Sequence, residues 1–354
     1  MSNLVDQPGN IRPGEELDAA KLEPYLREKF PHAGGELKIR QYPSGHSNLT
    51  YAVRLGDEQF VLRRPPFGSK VKSAHDMGRE FRVLAKLHGV YPPAPEVLFY
   101  CDDDGILGAP FYVMRPIRGV ILRKSVPPDF NFTPQKVREL CVSLLDNLIR
   151  LHNVDYNAAG LADLGKPAGY LERQVRGWIK RYHNSKTHEY PAVEKIASWL
   201  QQNRPTTSRV SLIHNDYKFD NVILNAGNLT EIIGVLDWEM ATIGDPLTDL
   251  GTTLAYWADP ADPDELKQNL SDVTTQPGSL SRAEVAALYG EKTGADTSQM
   301  PFYLSFARFK LAVIVQQIFY RYSHGLTKDS RFATLPERVS ALLEASLHCA
   351  QSKI

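Results

Sequence analysis

The sequence predicts an α+β chain with two lobes. A small antiparallel sheet lobe is expected over residues 31–117 and a larger, mainly helical lobe over 118–354, behind an N-terminal arm and helix at 1–30. Three observations predict this. Short runs that alternate between apolar and polar residues fill the first third of the chain, separated by Gly, Pro and Asn turns. From Thr133 onward, apolar residues recur at helical spacing. Within that helical region, the polar loop of Ser211–Glu239 is flanked by short apolar runs.

In chain order, residues 1–14 are rich in Pro, Gly and Asn and read as a loose arm. Glu15 to Phe30 carries Leu17, Leu22, Tyr25, Leu26 and Phe30 at helical spacing. Leu37–Tyr42, Leu49–Leu55 and Gln59–Arg63 then read as an antiparallel meander, turned at Pro43–Asn48 and at Gly56-Asp57. Small polar residues around Gly45 and Ser47 would let backbone amides approach an anion, although an ordinary hairpin turn has the same composition. Residues 73–89 form a helix with Met77, Phe81, Leu84 and Leu87 along one stripe. Glu96–Tyr100 and Pro110–Met114 are two further strands, and Arg115–Gly119 crosses to the helical half.

Thr133-Pro134 is a cap followed by an N1 proline, and the helix it starts runs to about His152. His152 reads as a packing or capping residue. Gly169–Tyr182 interleaves Arg173, Arg176, Lys180 and Arg181 with Tyr170, Trp178 and Tyr182. That is either an amphipathic helix with a solvated basic face or a face that meets an anionic substrate.

The stretch SLIHNDYKFDNVILNAGNLTEIIGVLDWE reads as strand, loop, strand, turn, strand, with Asn225–Asn228 supplying the turn. Its polar corners are His214, Asp216, Asn221 and Asp237. Phosphoryl transfer needs such a set: one carboxylate to orient a hydroxyl, and an amide oxygen with a second carboxylate to hold magnesium. A metal triad of a non-haem iron oxygenase also begins H-x-D, but the later His324 and His348 lie in helical surroundings, not in a β-sandwich.

HNDYKFDNVILN followed by VLDWEMATIGDPLTDLG resembles the catalytic loop and metal segment of the aminoglycoside phosphotransferase-like branch of the protein-kinase-like fold. It is most similar to the kinase-like domains linked to acyl-CoA dehydrogenases. The resemblance implies ATP and Mg²⁺ as cofactors, Asp216 as the catalytic base, and Asn221 and Asp237 as metal ligands. It places a nucleotide-contacting cation, usually lysine, at Arg63, with adjacent Arg64 as a competing choice and Glu80 as its helix partner. Ser47 would cover the phosphates, and backbone groups of Met114, Arg115 and Ile117 would meet the adenine edge. His214 is expected to brace the loop. Lys218 either touches the transferred phosphate or is solvated. Glu239 is expected behind the metal ligands, while Asp245 and Asp249 are expected to be structural.

Beyond Asp249, Leu250–Trp257 continues a helix, and the acidic run from Asp259 to Glu265 reads as a solvated loop. Ser281–Thr293 has a capping box, Phe302–His324 is a long aromatic helix, and Ala333–Cys349 is amphipathic. Tyr256, Trp257, Phe319, Tyr320 and Tyr322 are expected in the core or on the wall of a substrate pocket.

These readings point to ATP-dependent phosphorylation of a small-molecule hydroxyl; the branch resemblance implies a hydroxyacyl-CoA or hydroxy acid. An aminoglycoside, choline or sugar kinase is the runner-up, and a nucleotide-binding pseudokinase is the alternative of another class. The balance of 41 basic and 41 acidic residues does not point to nucleic acid as a partner. Cys101, Cys141 and Cys349 have no metal spacing and imply a reducing compartment. The N-terminus lacks an apolar signal core and runs such as Leu311–Val315 are too short to span a bilayer, so a cytoplasmic protein without membrane partners is expected, with a homodimer as the base-rate assembly.

Overall fold

The first elements in chain order are α1 (Ala19–Lys29), β1 (Leu37–Gln41), β2 (Leu49–Leu55), β3 (Glu58–Arg64), α2 (Met77–Leu87), β4 (Val97–Cys101), α3 (Asp104–Leu107) and β5 (Phe111–Met114). Then follow α4 (Pro134–His152), α5 (Tyr170–Ser185), α6 (Pro191–Gln202), β6 (Ser211–Ile213), β7 (Val222–Asn225), β8 (Asn228–Val235), β9 (Thr242–Gly244), α7 (Pro246–Ala255), α8 (Asp264–Lys267), α9 (Arg282–Thr293), α10 (Met300–Ser323) and α11 (Leu335–Gln351). This computed structural model describes residues 7–43, 48–68, 76–123, 132–207, 209–259, 262–267, 270, 272–327 and 329–351. They belong to two units, Met1–Ile121 with Asn157–Leu161 and Asn221–Ala241, and Leu122–Tyr156 with Ala162–Asp220 and Thr242–Ile354.

The first unit is built on a five-stranded sheet in the order β1-β2-β3-β5-β4, with every neighbouring pair antiparallel. Strand alternation sorts its residues. Tyr51, Val53, Leu55, Phe60, Leu62, Phe111 and Val113 face one way and pack with Leu22 and Leu26 of α1 and Leu107 of α3. Arg63 and Tyr112, paired across β3 and β5, face the other way, toward Glu80 of α2. Adjacent Arg63 and Arg64 therefore point to opposite faces, and Arg64 stacks on Phe67, 3.5 Å from guanidinium carbon to ring centroid. The hairpin β7–β8 also belongs to this unit, tied by the bridge of Val120 to Leu224. Gly119 permits that approach: a Cβ there would come within 2.4 Å of both Ile223 and the Leu224 carbonyl.

The N-terminal residues correct the expectation of a loose arm. Gly9 exchanges backbone hydrogen bonds with Gln41 of β1 at 2.8 and 3.1 Å, and the Arg12 amide donates to Gln41 Oε1 at 2.8 Å. The first helix starts later than the spacing suggests, because Asp18 accepts from the Lys21 amide and caps it.

In the second unit α10 packs on α11, α7 and α5, and β6 pairs with β9. By length and composition α10 could cross a membrane, but 72% of its most apolar stretch is buried inside this fold. The capping box at Ser281 and the Thr133 cap form as expected. Cys101, Cys141 and Cys349 are buried free thiols.

The acidic loop is the second correction. Asp262 is buried, not solvated, and accepts from Arg282 Nη1 at 2.8 Å and Arg308 Nη2 at 3.1 Å. Burial alone would raise this carboxyl, but the Arg282 hydrogen bonds and charge hold it below the ordinary range. Replacing Asp262 with Ala leaves two largely buried guanidiniums without their carboxylate, and should destabilise the fold by about 3–5 kcal/mol. Urea unfolding of the full chain reads this directly; a loss below about 1 kcal/mol would show the cluster to be energetically idle.

Candidate active site

Within the first unit, β3, α2 and the end of β8 converge on Arg63. Its Nε lies 3.3 Å from Glu80 Oε2, its Nη2 donates to Asp237 Oδ1 at 2.5 Å, and Glu239 Oε2 stands 3.9 Å away. Glu80 is buried and receives the Trp238 amide at 3.1 Å and the Tyr112 hydroxyl. Burial pushes the Glu80 carboxyl up, against the Arg63 charge and the Trp238 amide. Burial would likewise weaken the Arg63 guanidinium, yet Glu80 and Asp237 hold it well above its ordinary value. Asp237 has a left-handed backbone, φ +69°, which a short polar side chain tolerates. The turn beyond it is anchored by Arg79, whose guanidinium donates to the carbonyls of Glu239 at 3.0 Å and Ala241 at 2.5 Å.

Asn221 and Asp237 lie at one end of the β7–β8 hairpin, where the Leu236 amide donates to the Asn221 carbonyl at 2.7 Å. Glu239 also accepts from Asn48 Nδ2 at 2.8 Å. Three carboxylates, Glu80, Asp237 and Glu239, surround the Arg63 cation, and the Arg79 guanidinium lies beside the Glu239 backbone. Among the described residues no group of three or more His, Cys, Asp or Glu could hold a metal by itself. Asp237 and Asn221 offer a part-exposed carboxylate and an amide oxygen, donor types that a hard divalent cation takes.

Around the residues expected to meet the adenine edge, part of the backbone is engaged within the fold. Met114 is a ladder residue of β5, and the Arg115 amide donates to the Glu96 carbonyl at 2.8 Å. The Arg115 side chain ion-pairs with Glu58 at 3.1 Å. Pro116 has no N–H. The Arg115 amide is thus already bonded to Glu96. Ser47 lies outside the described residues.

In the second unit the loop after β6 is held from below. Asp249 of α7 is fully buried; it accepts the His214 amide on Oδ2 and the Asn215 amide on Oδ1, each at 2.7 Å, and His152 Nε2 lies 3.2 Å from Oδ2. Asn215 takes a left-handed φ of +68°, and Lys310 Nζ donates to its carbonyl at 2.9 Å. The Asp216 amide donates to His214 Nδ1 at 3.3 Å, which puts the imidazole proton of a neutral His214 on Nε2. His214 thus braces the loop. Asp245 caps α7 through the Leu247 amide at 2.9 Å.

Asp216 stands at the head of this loop. Lys218 Nζ donates to its Oδ2 at 2.5 Å, the Tyr256 hydroxyl donates to it as well, and Lys218 lies 4.3 Å from the Tyr256 ring centroid. Lys218 is therefore engaged rather than solvated. Lys310, missed by the sequence reading, is buried, and that burial lowers its ammonium to about 8 despite the nearby Asp216 and Asp249 charges. A lone lysine amid the apolar residues of Phe302–Val315 was its signal. The basic face of α5 is partly used up locally: Arg173 donates to the carbonyls of Lys166 and Ala168, and Arg181 stacks 4.6 Å from the Trp178 ring centroid.

A family model described as the phosphotransferase enzyme family matches residues 38–282. The mouse protein acyl-CoA dehydrogenase family member 10 is 34% identical over 316 residues, covering 88% of this chain and 29% of that protein. Its rat relative acyl-CoA dehydrogenase family member 11 is 32% identical over 345 residues, covering 95% of this chain and 44% of that protein. The chain thus spans less than half the length of these curated relatives. A crystal structure from Ralstonia eutropha, assigned to the aminoglycoside phosphotransferases, superposes with a TM-score of 0.80 at 28% identity, covering 95% of this chain and 99% of the other.

Proposed function

We propose that this chain, which belongs to the phosphotransferase enzyme family, transfers a phosphoryl group from Mg·ATP to the hydroxyl of a small hydroxy acid or its CoA thioester. The observation that carries this reading is the support of Asp216. A carboxylate set on a loop whose backbone is fixed by Asp249, His214 and Lys310 is held to one position, as a base acting on a single hydroxyl must be. Asp216 accepts the hydroxyl hydrogen as the oxygen bonds to the γ-phosphorus; the bond to the β-phosphate oxygen breaks, and ADP leaves with that electron pair. Arg63 places positive charge toward the nucleotide phosphates and is itself fixed by Glu80. Asn221 and Asp237 would hold Mg²⁺, which neutralises charge developing on the phosphate oxygens.

Arginine in place of the usual lysine favours one second reading, a nucleotide-binding pseudokinase. ADP release from Mg·ATP separates the two, assayed with 3-, 4- and 5-hydroxy acids, their CoA thioesters, choline and aminoglycosides. Turnover with the hydroxy acid group is the expected result. Mg·ATP binding without turnover on any acceptor would favour the pseudokinase. No nucleotide binding would sink both readings.

A further inference from the structure

Among the described residues Lys310 is the only buried lysine, 4% exposed on the apolar helix α10. An ammonium taken out of water is costly unless opposite charge and hydrogen-bond acceptors meet it. The acceptor it meets is the Asn215 carbonyl, at 2.9 Å. That carbonyl shares a peptide plane with the Asp216 amide, so a turn of the plane carries the Asp216 side chain with it. Asn215 is gripped from three helices. Asp249 of α7 takes its amide at 2.7 Å, Tyr170 of α5 donates to its Oδ1 at 3.4 Å, and Lys310 of α10 holds its carbonyl. The grip opposes a real tendency to relax, because φ is +68° at Asn215, a left-handed value that a residue with a Cβ keeps only under constraint.

The charged groups that act on the ammonium are Asp216 and Lys218 on the loop, Asp249 on α7 and Arg181 on α5. α11, which also packs on α10, adds none to this set. Lys218 is paired with Asp216 at 2.5 Å, and Arg181 stacks 4.6 Å from the Trp178 ring centroid. The same ring lies 5.8 Å from Lys310 Nζ. Lys310 thus answers both carboxylates at once, the base and the anchor of its loop. A neutral amine could still donate to the Asn215 carbonyl, but as a weaker donor, and it would leave Asp216 and Asp249 without their shared cation.

We infer that Lys310 is a positioning residue for Asp216, and that its positive charge, not its bulk, does the positioning. This rests on the reading of Asp216 as the base. Burial brings the ammonium down to about 8, against the Asp216 and Asp249 charges. The charge is therefore present below that pH and lost as pH rises through it. The alkaline side of the rate profile should follow Lys310, while Mg·ATP binding does not.

The test has two arms on the full chain. In the first, lysine labelled with ¹³C at Cε is titrated by NMR, the Lys310 signal being identified by its loss in Lys310→Arg. Its midpoint should lie well below that of the exposed lysines, and Asp216→Asn should lower it by about 0.5 or more in pH, because an attracting anion is gone. In the second, kcat is measured against pH with an acceptor that turns over. The native chain should lose about tenfold between about pH 7 and 9, as one ionisation near 8 requires. Lys310→Arg should lose that alkaline limb, since a guanidinium keeps its charge. Lys310→Met should be at least about tenfold slower at neutral pH, with no limb and with Mg·ATP affinity unchanged. Thermal melting checks that the variants fold. A midpoint indifferent to Asp216→Asn, a native profile flat to about pH 9, or a limb that persists in Lys310→Arg would each overturn the inference and leave the phosphotransfer reading standing. Mg·ATP binding without turnover on any acceptor would sink that reading, and the inference with it.

Discussion

Asp216→Asn is expected to lower kcat by about 10²–10⁴-fold while leaving Mg·ATP affinity within about threefold, the range set by losing a positioned general base. The substitution is nearly isosteric. The loop amides remain bonded to Asp249, and the Asp216 position keeps its amide bond to His214 Nδ1. Asparagine can still receive a hydrogen bond from Tyr256 or Lys218, but it cannot take up a proton. The loss therefore falls on the chemical step. Single-turnover rates with a productive acceptor measure it, with equilibrium nucleotide binding as the control. A decrease of less than tenfold would remove Asp216 from the role of base.

Asp249→Ala should combine a fold defect with a catalytic one. The Asp249 side chain is 0% exposed and serves the amides of His214 and Asn215 as well as His152. Alanine leaves two buried N–H groups and an imidazole nitrogen unmatched, which costs about 3–5 kcal/mol. Without those anchors the left-handed Asn215 has less to hold it, so Asp216 is misplaced and kcat falls too. The pH dependence has a definite sign. Burial alone would raise the Asp249 carboxyl, but the hydrogen bond and charge of His152 and the His214 amide hold it below the ordinary 3.8. Its contribution is therefore fully present above the unfolded value and disappears as pH falls through the folded one. The native chain should lose urea resistance more steeply below about pH 4 than Asp249→Asn does. Equal acid slopes, or a loss in Asp249→Ala below about 1 kcal/mol, would contradict this account.

Much of the fold was legible because local signals agreed with tertiary structure. Leu49–Leu55 alternates cleanly and is β2 over the same residues. Ser281 with Glu284 forms the capping box its spacing announces. The pairing of Arg63 with Glu80 was implied by the family resemblance, and the two side chains meet at 3.3 Å. What stayed hidden depends on residues remote in sequence. Asp262 looks like part of a solvated acidic run until Arg282 and Arg308 fold against it. Gly9 and Arg12 look loose in composition, yet they find the backbone and side chain of Gln41 on β1. Composition reports what a segment could do by itself, and these residues acquire partners only when the chain closes.

The identity of the β3 cation has a consequence for chemical labelling. Reagents that carry an acylating group on a nucleotide tag enzymes by capturing a free amine beside the phosphates. At Arg63 the group is a guanidinium that Glu80 and Asp237 keep protonated, and a protonated guanidinium is not an acyl acceptor. In an amine-directed survey of nucleotide-binding proteins, this chain would pass unlabelled at that position however tightly it held Mg·ATP.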